Sequence, residues 1–131
     1  MSKDHPKPTD AELAILQVLW QSGPSSVRQV HEYLSDDRDT GYTTTLKLMQ
    51  IMSEKGLVRR NTDARSHIYE AAIAETDVQQ QLLRRFVDTA FRGSAMSLVM
   101  QALGQHQAGS DELDQIKALI EQMEQKQQPP Q

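Results

Sequence analysis

Cysteine is absent from the 131 residues. That excludes disulfides, thiolate nucleophiles, cysteine-based zinc sites and iron–sulfur clusters, and nothing in the chain asks for an oxidising compartment. Aromatics are scarce, with two Phe, three Tyr and one Trp, and apolar residues reach only 37%. A core built from so little is lean, and a partner subunit is its natural supplement. No apolar run approaches the roughly 18–20 residues that cross a bilayer, and the start MSKDHPKPTD lacks the apolar stretch of a secretory signal. The expectation is a cytoplasmic protein with no membrane insertion. The length suits one compact domain, or a small domain of about 75 residues with an oligomerising appendage, and is too short for most cofactor-dependent enzyme folds.

Charge is unevenly placed. The net charge of −4 argues at first against nucleic acid, because phosphate neutralisation supplies most non-specific binding energy. Between Tyr42 and His67, however, five cations (Lys47, Lys55, Arg59, Arg60, Arg65) face two anions (Glu54, Asp63), a local balance of +3. Residues 73–131 carry five cations against eight anions. A basic segment followed by an acidic one is the division expected of a binding surface joined to an assembly module.

Residues 1–8, with Pro6 and Pro8 among polar residues, read as a flexible arm. Thr9 and Glu12 have capping-box spacing, and Leu13, Leu16 and Trp20, widened by Ile15 and Leu19, form the buried stripe of a first helix ending at Ser22-Gly23-Pro24. Ser26 and Gln29 repeat the capping arrangement before a short helix from Val27 to Leu34. After a polar loop at 35–41, a third helix is predicted from Thr43 to Lys55, with Thr45, Leu48, Met49 and Met52 inward and Gly56 as left-handed cap. Strands are predicted at Leu57–Arg60 and Ile68–Ala71, separated by a turn-forming tip at 61–66. Three helices and a hairpin in that order make a winged helix-turn-helix, so the fold class is mainly α, with a helical dimerisation domain behind it.

The second half is helical. Leu82 and Phe86 lie on one amphipathic stretch, Met96, Val99, Met100 and Leu103 on a second, and Leu113, Ile116, Ile120 and Met123 on a third with a/d heptad spacing. Three such helices with too few partners of their own predict a homodimer interface at these residues. The division is expected at 1–74 for the winged helix and 75–131 for dimerisation.

No catalytic constellation is present. His5, His31, His67 and His106 share no ligand spacing and read as surface groups, and Asp36, Asp37 and Asp39 lack the EF-hand's remaining ligands. Neither a metal site nor a cofactor is indicated. Ser66 and His67 are strand neighbours and point to opposite faces, which disposes of them as a nucleophile and its base. The chain reads as a non-enzyme. A helical protein-interaction adaptor is the rival to DNA binding, although an adaptor has no need of a basic helix and a basic wing together.

Gly41 to Val58 (GYTTTLKLMQIMSEKGLV) closely resembles the signature of the penicillinase repressor family, the BlaI and MecI type of regulator. Thr9 to Leu16 with Leu19-Trp20, Val27 to Val30, and Ala64 to Tyr69 are similar to further family stretches in the same order and spacing. The resemblance implies a homodimeric repressor whose winged helices read the halves of a pseudo-palindromic operator in double-stranded DNA, controlling β-lactamase or other resistance genes. It also implies a membrane sensor metalloprotease that relieves repression by cutting near Ala90-Phe91, where the family's well-known case has Asn before the Phe. The family's copper-sensing branch uses a C-terminal cysteine cluster that this chain lacks.

Within that frame Tyr42, Thr43, Thr44, Lys47 and Gln50 are the expected DNA contacts of the recognition helix. Threonine serves phosphate or the thymine methyl, lysine serves guanine or phosphate, and glutamine matches adenine. Arg59, Arg60, Arg65 and Ser66 are the expected wing contacts, of which strand alternation directs only one of Arg59 and Arg60 to any one face. Arg28 is a further phosphate contact.

Overall fold

The computed structural model describes residues 6–34, 41–63, 67–105 and 108–127. Its elements are α1 (Asp10–Ser22), β1 (Ser25–Ser26), α2 (Val27–Leu34), α3 (Tyr42–Lys55), β2 (Val58–Asn61), β3 (Ile68–Ala71), α4 (Glu75–Ala90), α5 (Ala95–Gln105) and α6 (Ser110–Gln127). They fall into two compact units, Met1–Arg85 and Phe86–Gln131.

In the first unit, α1 begins where the sequence offers a cap. Thr9 Oγ1 accepts from the Glu12 amide at 3.2 Å, while Glu12 Oε1 accepts from the Thr9 amide at 2.9 Å. The reciprocal bonds satisfy two donors that a helix start otherwise leaves orphaned. The Ser26–Gln29 pair does the same ahead of α2, at 2.8 and 3.2 Å. At the far end of α3 Gly56 takes φ +84°, and its amide closes the helix on Met52 and Ser53 carbonyls. A left-handed residue is what that cap requires, and glycine adopts it without a Cβ penalty.

The core lies between α1, α2, α3 and the sheet. Ile15, Leu16, Val18 and Leu19 of α1 meet Val27 and Val30 of α2, Met49 and Met52 of α3, and Leu57, Val58, Tyr69 and Ile73 from the hairpin and its exit. Trp20 is half-buried, and its indole N–H donates to the Ile73 carbonyl at 3.1 Å, tying α1 to the strand exit. Val78 closes the core from α4, and half-buried Leu82 packs against it. The first unit therefore runs past residue 74, because the opening turns of α4 are part of its packing.

Several local expectations are corrected. Pro8 is buried, and Pro6 and Pro8 flank a small apolar cleft with Ile73, Val78 and Leu82, so the end of the N-terminal stretch is packed and is not a free arm. The sheet has a third strand: β1 pairs antiparallel with β3 (Ser25 opposite Tyr69, Ser26 opposite Ile68), giving the order β1-β3-β2. The helix expected from Thr43 starts at Tyr42 behind an N-cap at Gly41, which has no side chain to cap it. The first hairpin strand begins at Val58, with Leu57 buried before it. In the second unit neither α5 nor α6 contains a buried residue, although both carry large apolar side chains.

Candidate nucleic-acid interface

A groove opens beside the first turns of α3, lined by Ser26, Val27 and Arg28 from the start of α2, Tyr42, Leu46 and Gln50 from α3, and Arg60, His67 and Tyr69 from the hairpin. Helical spacing explains the α3 contribution, since 42, 46 and 50 stack on one side of that helix. Strand alternation explains the hairpin's. Val58 and Arg60 share a face with their partners Ala71 and Tyr69, so Arg60 reaches the groove while Val58 fills the core.

Arg59 faces the other way and pairs with Glu70 directly across the sheet, its Nε donating to Oε1 at 3.2 Å. Of the two described wing arginines, the structure brings only Arg60 to the groove. Arg65 and Ser66 lie outside the described residues, as do His5, His106 and the aspartates at 36, 37 and 39.

Tyr42 is the centre of a small cluster that the sequence did not disclose. The Arg28 guanidinium sits 6.0 Å from its ring centroid, and the His31 ring meets it edge-on at 5.8 Å and 86°. Cation–π attraction and a T-shaped ring contact orient a tyrosine that is itself substantially exposed. His31 is half-buried, not a free surface group, and its Nδ1 shares a 3.1 Å hydrogen bond with Oγ1 of buried Thr45. The N-terminal end of α3 is thereby held to α2.

Thr43, Thr44, Lys47 and Gln50 are exposed on α3. The Gly41 carbonyl accepts from the Thr44 and Thr45 amides at 3.1 and 3.2 Å, and Gly41 adds no side-chain cap. Among the described residues no carboxylate lines the groove, whereas an adjoining groove takes Gln50, Ser53, Glu54, Arg60 and Tyr69.

Behind this surface the other end of α3 is anchored. Lys55 Nζ donates to both oxygens of Glu12, at 2.9 and 3.1 Å. Glu12 is only 2% exposed. Burial alone pushes its carboxyl upward, but the Thr9 amide and the Lys55 ammonium together hold it below the usual carboxylate range.

The second unit has a different surface. Phe86, Met96, Val99, Met100, Leu103, Leu113, Ile120 and Met123 are all exposed, Met96 and Met100 to 68% and 67%, while Ile116 is half-buried. Leu82, expected with them, packs instead on the core of the first unit. Between α4 and α5 the chain turns through Arg92 at φ +52° and Gly93 at φ +81°. Ala90 is exposed and Phe91 half-buried there, its ring 5.5 Å from that of Phe86. Among the described residues no cluster of metal-ligating side chains forms, and no helix is long and apolar enough to cross a membrane.

Known proteins share much of this sequence and the fold of its first part. The transcriptional regulator BlaI of Mycobacterium tuberculosis is 31% identical over 120 residues, covering 88% of this chain and 83% of that protein. The methicillin resistance regulatory protein MecI of Mammaliicoccus sciuri is 20% identical over 112 residues, 86% and 91% of the respective chains. Among solved structures, the DNA-binding domain of the repressor BlaI superposes with a TM-score of 0.50 at 25% identity, over 58% of this chain and 93% of that one. The monomeric form of Bacillus licheniformis BlaI, solved in complex with the blaP half-operator, shares the fold at a TM-score of 0.50 and 24% identity, over 56% and 90%. Since the sequence profile described as penicillinase repressor matches residues 8–122, the chain belongs to that family.

Proposed function

We propose that this protein is a cytoplasmic transcriptional repressor that binds a pseudo-palindromic operator as a homodimer. The observation that carries the reading is the cationic groove beside an exposed polar face of α3: Arg28 and Arg60 flank it, and no described acid lines it. Tyr42, Thr43, Thr44, Lys47 and Gln50 enter the major groove, where side chains distinguish base pairs by their donor and acceptor patterns. Arg28 and Arg60 neutralise phosphates, with Arg65 and Ser66 as further wing contacts. Arg59 is occupied by Glu70 and contributes least.

The apolar side chains of α5 and α6 pair with a second copy, so two winged helices are held at the spacing of two half-sites. In this division of labour the winged helix of residues 1–74, closed by the opening turns of α4, reads DNA, and the remainder of residues 75–131 assembles the dimer. A membrane sensor metalloprotease relieves repression of β-lactamase or other resistance genes by cutting at Ala90-Phe91, next to the turn at Arg92 and Gly93. A mobility-shift titration on the DNA upstream of the protein's own gene, against random competitor, tests the operator reading. A specific shift with dimer stoichiometry is expected. Absence of a shift above competitor there and in a selection from random duplexes would leave the adaptor reading in its place.

A further inference from the structure

His67 is exposed, outside the core and not among the contacts expected of the wing, yet it lines the same groove as Arg28 and Arg60. We propose that His67 is a further DNA-contacting residue, whose protonated imidazole adds a third positive charge to the sugar–phosphate strand crossing the groove. Operator affinity then gains one salt-dependent contact as the pH falls. The proposal rests on the operator reading above.

The geometry of duplex DNA places the phosphate strand. When a recognition helix occupies the major groove and a wing reaches the adjacent minor groove, one backbone runs between them. In this protein the space between α3 and the hairpin is the groove that contains His67. Imidazole is the side chain whose charge changes between about pH 5 and 8, and a protonated ring offers two N–H donors and no acceptor.

Among the described residues no acid lines the groove beside that charge. From α2 the groove presents Arg28, from α3 Tyr42, from β2 Arg60 and from β3 Tyr69. The hairpin's described acids are Asp63, which does not line the groove, and Glu70, which Arg59 holds on the opposite face. Glu54 lines the adjoining groove with Arg60. With two arginines on the rim and no described carboxylate lining the groove, a phosphate is the anion that a protonated His67 would meet there.

The test is a salt titration of operator affinity at pH 6 and pH 8. Each phosphate contact contributes about 0.9 to the slope of log affinity against log salt, so one added contact makes a fourfold rise in salt cost about three- to fourfold more affinity. The wild-type protein is expected to show the steeper slope at pH 6, His67→Gln the shallow slope at both, and His67→Arg the steep slope at both. A His67→Gln variant that retains the wild-type pH dependence, or a wild-type slope equal at the two pH values, overturns the proposal and leaves the operator reading standing. Wild-type protein with no specific binding at either pH overturns both.

Discussion

Several separate interactions converge on Glu12. One carboxylate accepts from the Thr9 amide and from Lys55 Nζ, joining the start of α1 to the end of α3. Its folded-state carboxyl lies below the ordinary value of 4.5, so the ionised form is the one the fold stabilises. That stabilisation is complete above about pH 4.5 and is lost as the pH falls through the lower folded value. Glu12→Gln keeps an acceptor for the Thr9 amide and removes the ion pair. Breaking a fully buried pair costs about 3–5 kcal/mol, but Lys55 keeps 34% of its side-chain exposure and can turn to water. A loss of about 1–2 kcal/mol at pH 7 is therefore expected in urea unfolding, and the gap between variant and wild type should narrow as the pH falls below 4.5 and close once the folded carboxyl is protonated. A gap that persists in acid would mean that the carboxylate stabilises the fold by packing alone.

At the scale of elements the wing makes a sharp comparison between neighbours. Arg59 and Arg60 are adjacent in sequence and opposite in face, the one paired to Glu70 and the other in the groove. Arg60→Gln is expected to weaken operator binding evenly across sequences and to lower the salt slope by about 0.9, whereas Arg59→Gln should leave both nearly unchanged. Equal losses for the two would place DNA on both faces of the hairpin and refute the assignment. Alternation alone foretold that one arginine would turn away; which one depends on the register that sets Arg60 against Tyr69, and register is a non-local quantity. The same distinction separates what was legible in this sequence from what was not. The caps at Thr9, Ser26 and Gly56 are contained in a few residues each and were readable, as were the helices they bound. Strand β1 has only two residues, and nothing marks them as a strand until Tyr69 and Ile68 come alongside. Pro8 is polar-flanked in sequence and buried in space because Ile73 and Val78 close over it. His31 joins the site through Thr45 and Tyr42, which lie on the next helix and well beyond one helical repeat in sequence, so its spacing carried no signal.

At the scale of the molecule the two units differ in completeness. The first closes its own core, from Ile15 through Val78. The second has no buried residue in either of its complete helices, α5 and α6, while carrying Met96, Met100 and Ile120 exposed on them. Apolar surface of that extent on two helices is costly in water and is removed when a like surface covers it. Ile120 sits on α6 among Leu113, Leu119 and Met123, all exposed, so a charge there would be desolvated only if a second subunit covers the helix. Ile120→Asp is thus expected to leave the first unit folded and cooperative, since none of its packing includes residue 120, and to shift the protein to monomer in sedimentation. Operator affinity should then fall by about 10²–10⁴, the advantage that linking two half-site readers provides. The two readouts divide the possibilities. A variant that remains dimeric removes α6 from the interface, and a monomer that binds the full operator as well as the wild type removes the dimer from recognition.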